Sequence, residues 1–217
     1  MTRDGDWRRR RLADAVLYLC VDRRAEQGDL PELLDAVLAN GVDVVQLRDK
    51  AAGVDELRAA AAVFRAAAER HGALFVLNDD PSLSVEVHAD GVHVGQDDAL
   101  PAEARVIVGV ERIVGRSTHT VAEIDRALVE DCDYFAVGPV HATPTKQGRP
   151  PIGLEPLRHA AAVAGDRPWF VTGGMAPATA PAVLATGARR LVVVRALSEA
   201  ARPAAAAAEL AALLRRA

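Results

Sequence analysis

Three polar side chains recur at alternate positions early in the chain. Gln46, Arg48 and Lys50 are separated by Leu47 and Asp49. Because side chains two residues apart on an extended chain lie on the same side, the three would share one face of a strand end. Two cations and an amide converging there are suited to bind an anionic, phosphorylated ligand. Taken alone, the segment is equally consistent with a solvated strand end that holds an Arg–Asp pair.

Two acidic segments stand further along the chain. Residues 78–80 read Asn-Asp-Asp and residues 97–98 read Asp-Asp. Such clusters on neighbouring strand ends would repel each other unless a cation or bases lay between them. Mg²⁺ takes hard oxygen ligands and commonly uses one or two carboxylates together with substrate phosphates. Each cluster alone is explained by helix capping, but both together with Arg48 and Lys50 predict a Mg²⁺–diphosphate site.

A second anion site is predicted near the end of the chain. Residues 172–174 read Thr-Gly-Gly, and residues 194–195 read Val-Arg. Paired glycines let backbone N–H groups approach phosphate oxygens closely. A glycine pair is weak evidence by itself, and it becomes stronger if these segments follow the last two strands of a barrel, where such folds commonly bind phosphate.

Other polar residues have less certain roles. Ser117 can donate or accept a hydrogen bond to a ligand, and residues 143–146 read Thr-Pro-Thr-Lys, which adds two hydroxyls and a third cation. His119 is a candidate general base, although a lone histidine near a helix start is more often a structural hydrogen-bonding group. His93 and His141 have no stronger claim to that role.

These segments need a scaffold that brings them together. Short apolar runs alternate with Ala-, Leu- and Glu-rich stretches along the whole chain. The apolar runs predict eight strands, at residues 16–21, 43–47, 74–77, 91–94, 113–116, 134–138, 169–172 and 191–195. Helical spacing predicts helices over residues 30–39, 54–70, 121–130, 154–164, 177–186 and 203–216. Shorter links join the third strand to the fourth and the fourth to the fifth.

Eight strands that are each followed by a crossover imply a parallel sheet. Residues 191–194 form a continuous apolar run, which is typical of a strand buried on both faces. An open doubly wound sheet would also accept alternating elements, but eight repeats favour closure. We therefore predict an α/β fold, a single (β/α)8 TIM barrel. Active sites in this fold are built from loops at the carboxyl ends of the strands, and each polar segment described above follows a predicted strand.

The composition excludes several functional classes. Among the 217 residues, 50% are hydrophobic and the formal net charge is −4, so we expect no nucleic-acid partner. No run of about 18 apolar residues predicts a membrane span. The two cysteines, Cys20 and Cys132, lie far apart and form no metal-type pair. A reduced, cytoplasmic protein is the expectation.

The chain shows one compositional boundary, at its start. Arginines occupy positions 8–11, and we predict that residues 1–14 form a flexible basic leader with no secretory cleavage pattern. Residues 15–217 are predicted to form one barrel domain, because no Pro/Gly/Ser-rich linker divides them. A homodimer is a further expectation.

The ordered set of motifs resembles the thiamine phosphate synthase family. The resemblance extends from about residue 17 to residue 197, and the motifs that carry it lie at residues 46–50, 78–80, 91–98, 115–120, 133–146, 172–174 and 192–197. It implies a Mg²⁺-dependent transferase with two phosphorylated small-molecule substrates. In the implied reaction, the diphosphate of 4-amino-2-methyl-5-(hydroxymethyl)pyrimidine diphosphate leaves. The ring nitrogen of 4-methyl-5-(2-hydroxyethyl)thiazole phosphate takes its place, giving thiamine phosphate and diphosphate.

The resemblance also implies roles for individual residues. Metal binding falls to Asp79 and Asp98. Binding of the pyrimidine diphosphate falls to Gln46, Arg48, Lys50, Asn78, Ser117 and Lys146, of which Arg48, Lys50 and Lys146 would be catalytic. Binding of the thiazole phosphate falls to Thr143, Pro144, Thr145, Gly174, Val194 and Arg195. Further substrate-binding candidates are Leu47, Asp49 and Gly173. Arg195 departs from the small polar residue of many family members, which matters if a hydroxyl rather than the backbone contacts the phosphate.

Two alternatives compete with this interpretation. A thiazole tautomerase of similar fold would keep the thiazole phosphate site without needing the diphosphate set, and His119 would be the argument for it. A non-catalytic sensor of phosphorylated ligands on the same barrel would not need paired Mg²⁺ carboxylates. The presence of Lys50, Asp79 and Asp98 together with residues 143–146 favours the synthase over both.

Overall fold

The protein forms a closed barrel of eight parallel strands. The computed structural model describes residues 3–142 and 150–216. The strands are β1 (Leu17–Val21), β2 (Val44–Leu47), β3 (Leu74–Asn78), β4 (Gly91–Val94), β5 (Ile113–Thr118), β6 (Tyr134–Val137), β7 (Trp169–Val171) and β8 (Leu191–Val193). Each strand pairs with the next in chain order, and β1 closes the barrel against β8 through the pair Leu17–Leu191. The prediction of a (β/α)8 barrel is confirmed.

Among the described residues, one helix precedes β1, one follows each of the strands β1 to β7, and two follow β8. They are α1 (Gly5–Asp14), α2 (Leu30–Leu38), α3 (Val54–His71), α4 (Pro81–Glu86), α5 (Pro101–Val108), α6 (Val121–Val129), α7 (Glu155–Val163), α8 (Ala180–Leu184), α9 (Arg195–Ser198) and α10 (Pro203–Leu214). The two short links hold α4 and α5, each of which begins at a proline. Within residues 3–142 and 150–216, no helix is both long and apolar enough to cross a bilayer.

Alternation along the strands produces two separate apolar layers. On β1, Leu17 and Leu19 pack with the surrounding helices, whereas Tyr18 and Cys20 pack inside the barrel. The interior layer also contains Tyr134, whose ring lies against the backbone of Gly115 on the neighbouring strand. A Cβ at Gly115 would lie 2.2 Å from that ring, so the close packing of β5 against β6 requires glycine there.

The start of the chain differs from the expected flexible leader. Residues 5–14 form helix α1, whose first turn is capped by the Asp4 carboxylate accepting from the Trp7 N–H at 2.8 Å. Trp7 and Leu12 are buried and belong to the apolar layer inside the barrel. The arginine run misled the prediction, because Arg8 pairs with Asp90 at 3.0 Å instead of being fully solvated. Helix α1 therefore covers the amino-terminal end of the barrel.

Three aspartates fix the strands at that same end. Asp43, Asp90 and Asp133 immediately precede β2, β4 and β6. Their carboxylates accept backbone N–H bonds from Leu17 at 3.0 Å, Phe75 at 2.9 Å and Val114 at 2.7 Å, respectively. Each also pairs with at least one arginine, and the partners are Arg215 for Asp43, Arg3 and Arg8 for Asp90, and Arg9 and Arg105 for Asp133.

Candidate active site

A cavity at the carboxyl end of the barrel is lined by residues from both predicted anion sites. One side of it is lined by Gln46, Arg48, Asn78 and Ser117, from β2, β3, β5 and the start of the loop after β2. Another part is lined by Gly173, Gly174, Val194 and Arg195, from the loops after β7 and β8 and the start of α9. The cavity therefore brings part of the predicted diphosphate site to the same space as the glycine pair, whereas Lys50, Asp79 and Asp98 lie outside its lining.

Gln46 presents a hydrogen-bond donor to this cavity. Its side chain is 5% exposed, and its Nε2 atom has no hydrogen-bond partner among the described residues. A buried amide without a partner is costly, and the cost disappears when a bound molecule accepts the bond. The position of Gln46 beside Arg48 and Asn78 is consistent with recognition of a polar ring next to a phosphate group.

Asp79, Asp98 and Lys50 form a charged group beside the cavity. The Nζ atom of Lys50 lies 3.0 Å from a carboxylate oxygen of Asp79. Partial burial and the neighbouring carboxyl of Asp98 raise the pKa of Asp79 above its ordinary value, against the opposing effect of Lys50. Two carboxylates this close repel each other unless a cation lies between them, so Asp79 and Asp98 are candidates to bind one divalent cation together.

The backbone around Asp79 and Asp98 sets the positions of their carboxyl groups. Asp79 has a φ of +69°, which residues with a Cβ adopt only rarely. Its N–H donates to the carbonyl of His93 at 2.8 Å, so the end of β3 is tied to β4. Asp98 is fixed differently, because its carboxylate accepts the Gly95 N–H at 2.7 Å. The Asp98 side chain also lies within hydrogen-bonding contact of the Asp79 side chain.

The described residues fit a magnesium ion better than a transition metal. Among residues 3–142 and 150–216, no group of three or more His, Cys, Asp or Glu side chains converges. Two carboxylates alone make a weak protein site, and Mg²⁺ typically completes its six oxygen ligands with water and substrate phosphates. The cations Arg48 and Lys50 beside the acid pair would pair with the same phosphates.

The glycine pair lies where backbone N–H groups can reach a ligand. Gly173 and Gly174 have φ values of +99° and +72°, in the region that favours glycine. A Cβ at Gly173 would lie 2.4 Å from the Cα of Pro139, and one at Gly174 would lie 2.9 Å from the Cβ of His141. Neither position has room for a side chain, so the loop after β7 requires both glycines.

A buried chain of polar groups forms the floor of the cavity and was not predicted from the sequence. The Tyr18 and Tyr134 hydroxyls lie 3.1 Å apart, and the Tyr134 hydroxyl lies 3.0 Å from Nδ1 of His93. Nε2 of His93 lies 2.9 Å from the Ser117 hydroxyl. Burial raises the pKa of both tyrosines, so they stay protonated and act as hydrogen-bonding groups. The signal in the sequence was only that Tyr18 and Tyr134 occupy inward-facing strand positions.

Several predicted site residues do not line the cavity. The Leu47 side chain belongs to the apolar layer between strands and helices. Asp49 pairs with Arg23 at 3.2 Å. His119 uses Nδ1 to contact the carbonyl of Gly138 and is absent from the cavity wall, so the structure gives no support to a general base there. Thr143, Pro144, Thr145 and Lys146 lie outside the described residues.

Comparison with known proteins identifies the family. The model of the family described as thiamine monophosphate synthase matches residues 17–197. The chain belongs to this family. A thiamine-phosphate synthase of Acidothermus cellulolyticus is 52% identical over 204 residues, which cover 94% of this chain and 96% of that protein. A thiamine-phosphate synthase of Streptomyces avermitilis is 50% identical over 213 residues, covering 98% of this chain and 99% of that protein.

Solved structures agree with the family assignment. The thiamine phosphate pyrophosphorylase of Pyrococcus furiosus superposes with a TM-score of 0.84 at 28% identity, covering 96% of this chain and 98% of that one. A 3-hexulose-6-phosphate synthase from Salmonella typhimurium superposes with a TM-score of 0.68 at 20% identity, covering 93% and 99% of the two chains. The second likeness concerns the barrel fold alone, which supports many chemistries.

Proposed function

We propose that this chain is a thiamine phosphate synthase, a transferase that replaces the diphosphate of the aminopyrimidine substrate with the ring nitrogen of the thiazole phosphate. The observation that carries the proposal is that one cavity is lined both by Gln46 and Arg48 and by the glycine pair, so residues of both predicted anion sites adjoin the same space. The match over residues 17–197 and the named relatives support the same reaction.

Departure of the diphosphate is the step that the charged group would assist. The bond between the pyrimidine methylene carbon and the diphosphate oxygen breaks, and its electron pair leaves with the oxygen. Arg48, which lines the cavity, and Lys50, which pairs with Asp79, would neutralise that growing negative charge. A Mg²⁺ ion held by Asp79 and Asp98 would supply further neutralisation of the diphosphate.

Attack by the thiazole nitrogen needs no proton transfer. The nitrogen carries a free lone pair, which forms the new bond to the methylene carbon. The amino group of the pyrimidine can share the positive charge that develops on that carbon. A general base is therefore unnecessary, which agrees with the structural role of His119. The protein contributes mainly orientation of the two rings and electrostatic stabilisation.

We assign the thiazole phosphate to the glycine side of the cavity. Gly174 and the backbone at Val194 and Arg195 line that side, and Arg195 is the first residue of α9. Contact with Val194 and Arg195 through the backbone would tolerate the arginine side chain. The proposal also gives Thr143, Pro144 and Thr145 to the thiazole phosphate and Lys146 to the diphosphate, so Lys146→Ala should cripple turnover while leaving the fold intact.

The direct test is formation of thiamine phosphate from the two phosphorylated heterocycles, followed through its oxidised fluorescent product. The purified protein is assayed with Mg²⁺, with excess chelator, and with Mg²⁺ restored. We expect turnover with Mg²⁺, loss with chelator and recovery afterwards. Absence of product from folded protein under all three conditions would contradict the proposal and redirect attention to isomerisation or simple binding of thiazole phosphate.

Assembly and location stay predictions. Cys20 and Cys132 are buried thiols, the form that a reduced compartment maintains. We continue to expect a cytoplasmic location and a homodimer. Light scattering coupled to size exclusion would decide the oligomeric state.

A further inference from the structure

A buried arginine behind the active site takes part in none of the steps described above. Arg116 lies on β5 directly before Ser117 and is 2% exposed. Burying a guanidinium is costly unless it is paired and hydrogen-bonded. Its ion-pair partner is Glu130, with Nε 3.3 Å from a carboxylate oxygen, and Glu130 follows the last residue of α6.

The remaining contacts of Arg116 go to the loop between β4 and α5. Its Nη1 atom donates to the carbonyl oxygen of Gly95 at 2.6 Å, and its Nη2 atom lies 3.4 Å from Oε1 of Gln96. The amide nitrogen of Gln96 then donates to the carbonyl oxygen of Ser117 at 2.6 Å. Two contacts therefore tie this loop to β5: the Arg116 side chain binds the loop backbone at Gly95, and the Gln96 side chain binds the β5 backbone at Ser117.

That loop carries the carboxylate of Asp98. The N–H of Gly95 donates to the Asp98 carboxylate at 2.7 Å, and the N–H of Asp98 lies 3.4 Å from the carbonyl of Gly95. Gly95 therefore links Arg116 to Asp98, because its carbonyl oxygen accepts from Arg116 and its N–H donates to the Asp98 carboxylate. A shift of Gly95 would move Asp98 relative to Asp79.

We propose that Arg116, supported by Glu130, is a positioning residue that sets Asp98 against Asp79 for binding of the divalent cation. The inference rests on the proposed function, because it assigns a purpose to the acid pair. Arg116 does not line the cavity. Its effect reaches the site only through the backbone of Gly95 and the side chain of Gln96.

Arg105 provides a matched control, because it is also a largely buried arginine that joins carboxylates to backbone carbonyls. It pairs with Asp133 at 2.5 Å and donates to the carbonyl of Arg112 at 2.5 Å. These contacts are to residues that precede β5 and β6 at the amino-terminal end of the barrel, not to the loop that carries Asp98. Loss of Arg105 should therefore lower stability without altering the cation site.

The experiment measures divalent-cation binding and loop protection in three full-length proteins: wild type, Arg116→Met and Arg105→Met. In the presence of diphosphate, free Mn²⁺ is followed by its electron paramagnetic resonance signal, and Mg²⁺ competition gives the Mg²⁺ affinity. We expect about tenfold weaker binding in Arg116→Met, with faster amide exchange over residues 95–98. Arg105→Met should keep wild-type affinity despite a lower melting temperature. If Arg116→Met fails to fold, the milder variant Glu130→Gln takes its place, and we expect it also to bind the cation more weakly than wild type.

The outcomes separate this inference from the proposed function. If wild type binds Mn²⁺ and Arg116→Met binds it equally well, the positioning role is overturned and the synthase proposal stands. Glu130→Gln decides the same question if Arg116→Met does not fold. Equal weakening in Arg105→Met would also overturn it, since the effect would then be one of general stability. No Mn²⁺ binding by wild type would contradict the cation site and this inference together, whatever the turnover assay shows.

Discussion

The two ends of the barrel both depend on aspartates but use them for different purposes. At the amino-terminal end, Asp90 is 3% exposed, accepts a backbone N–H from Phe75 and pairs with Arg3 and Arg8. At the carboxyl end, Asp79 and Asp98 lie close to one another with Lys50 as the cation paired with Asp79, and the pKa of Asp79 is raised. The carboxylate of Asp90 is thus neutralised by two arginines, whereas Asp79 pairs with one lysine and lies against a second carboxylate.

The comparison shows that position relative to a strand decides what an aspartate does. Asp43, Asp90 and Asp133 precede strands, where they complete the hydrogen bonding of the sheet. Asp79 directly follows the end of β3, and Asp98 lies in the loop after β4, where barrels build their active sites. Substitutions at the two ends should therefore affect different properties: activity at one end and folding stability at the other.

The largest expected effect is on turnover, at Asp79. Asp79→Asn should lower kcat/KM by about 10³-fold, because the leaving diphosphate loses much of its electrostatic stabilisation. The matched control is Asp80→Asn, which makes the same charge change one residue away. Asp80 caps α4 by accepting the Leu83 N–H at 2.9 Å, and an asparagine side chain can keep that bond. Steady-state assays that find equal losses in both variants would remove Asp79 from the mechanism.

The next effect is on stability, at Asp90. Asp90→Ala leaves Arg3 and Arg8 without their shared partner and removes the acceptor for the Phe75 N–H. We expect the free energy of unfolding to fall by about 3 kcal/mol, as is usual when one partner of a buried pair is removed. Denaturant titration measures the loss, and turnover per folded molecule should stay at the wild-type value. A variant that is stable but inactive would contradict the division between the two ends.

A smaller effect is expected at the glycine pair. Gly174→Ala introduces a Cβ 2.9 Å from the Cβ of His141, at a φ of +72° that disfavours alanine. We expect the KM for thiazole phosphate to rise about tenfold, or about 1.4 kcal/mol, while the KM for the pyrimidine diphosphate changes little. Gly28→Ala serves as the control, since it has a similar φ of +65° with open space around its Cβ. Equal changes in both KM values for Gly174→Ala would place this loop outside the thiazole phosphate site.

The smallest effect concerns pH. Because the pKa of Asp79 is higher in the folded protein than in the unfolded chain, the folded state binds its proton more tightly. The cost of ionising Asp79 is therefore absent below the ordinary carboxyl pKa of about 4 and appears as the pH rises through the folded value. In metal-free buffer, Asp79→Asn should match wild type in melting temperature near pH 4 and exceed it slightly at pH 7. A difference in melting temperature that does not change with pH would contradict the raised pKa.

The sequence predicted the barrel well because local patterns determine it. Continuous apolar runs mark buried parallel strands, and all eight observed strands fall on the predicted runs, within one or two residues at their ends. The order of polar segments after strands also brought Gln46, Arg48, Asn78 and Ser117 to one cavity with the glycine pair. The rule that barrel sites lie at the carboxyl ends of strands was sufficient for this.

Features that depend on distant contacts were not predictable in the same way. The hydrogen bond between Tyr18 and Tyr134 joins residues 116 positions apart, and no local pattern specifies it. Helix α1 was missed because its arginines suggested solvent, whereas Asp90, the carboxylate that pairs with Arg8, lies more than eighty residues away. The role of Arg116 depends likewise on where the loop after β4 folds back.

The most direct test of the account compares how aspartate substitutions at the two ends of the barrel change Mg²⁺ binding. Isothermal titration of Mg²⁺ in the presence of diphosphate would be carried out on wild type, Asp98→Asn and Asp90→Asn. We predict one Mg²⁺ site in wild type and in Asp90→Asn, and loss of that site in Asp98→Asn. Retention of wild-type Mg²⁺ affinity in Asp98→Asn would contradict the claim that the acid pair at the carboxyl end is the functional centre of the molecule.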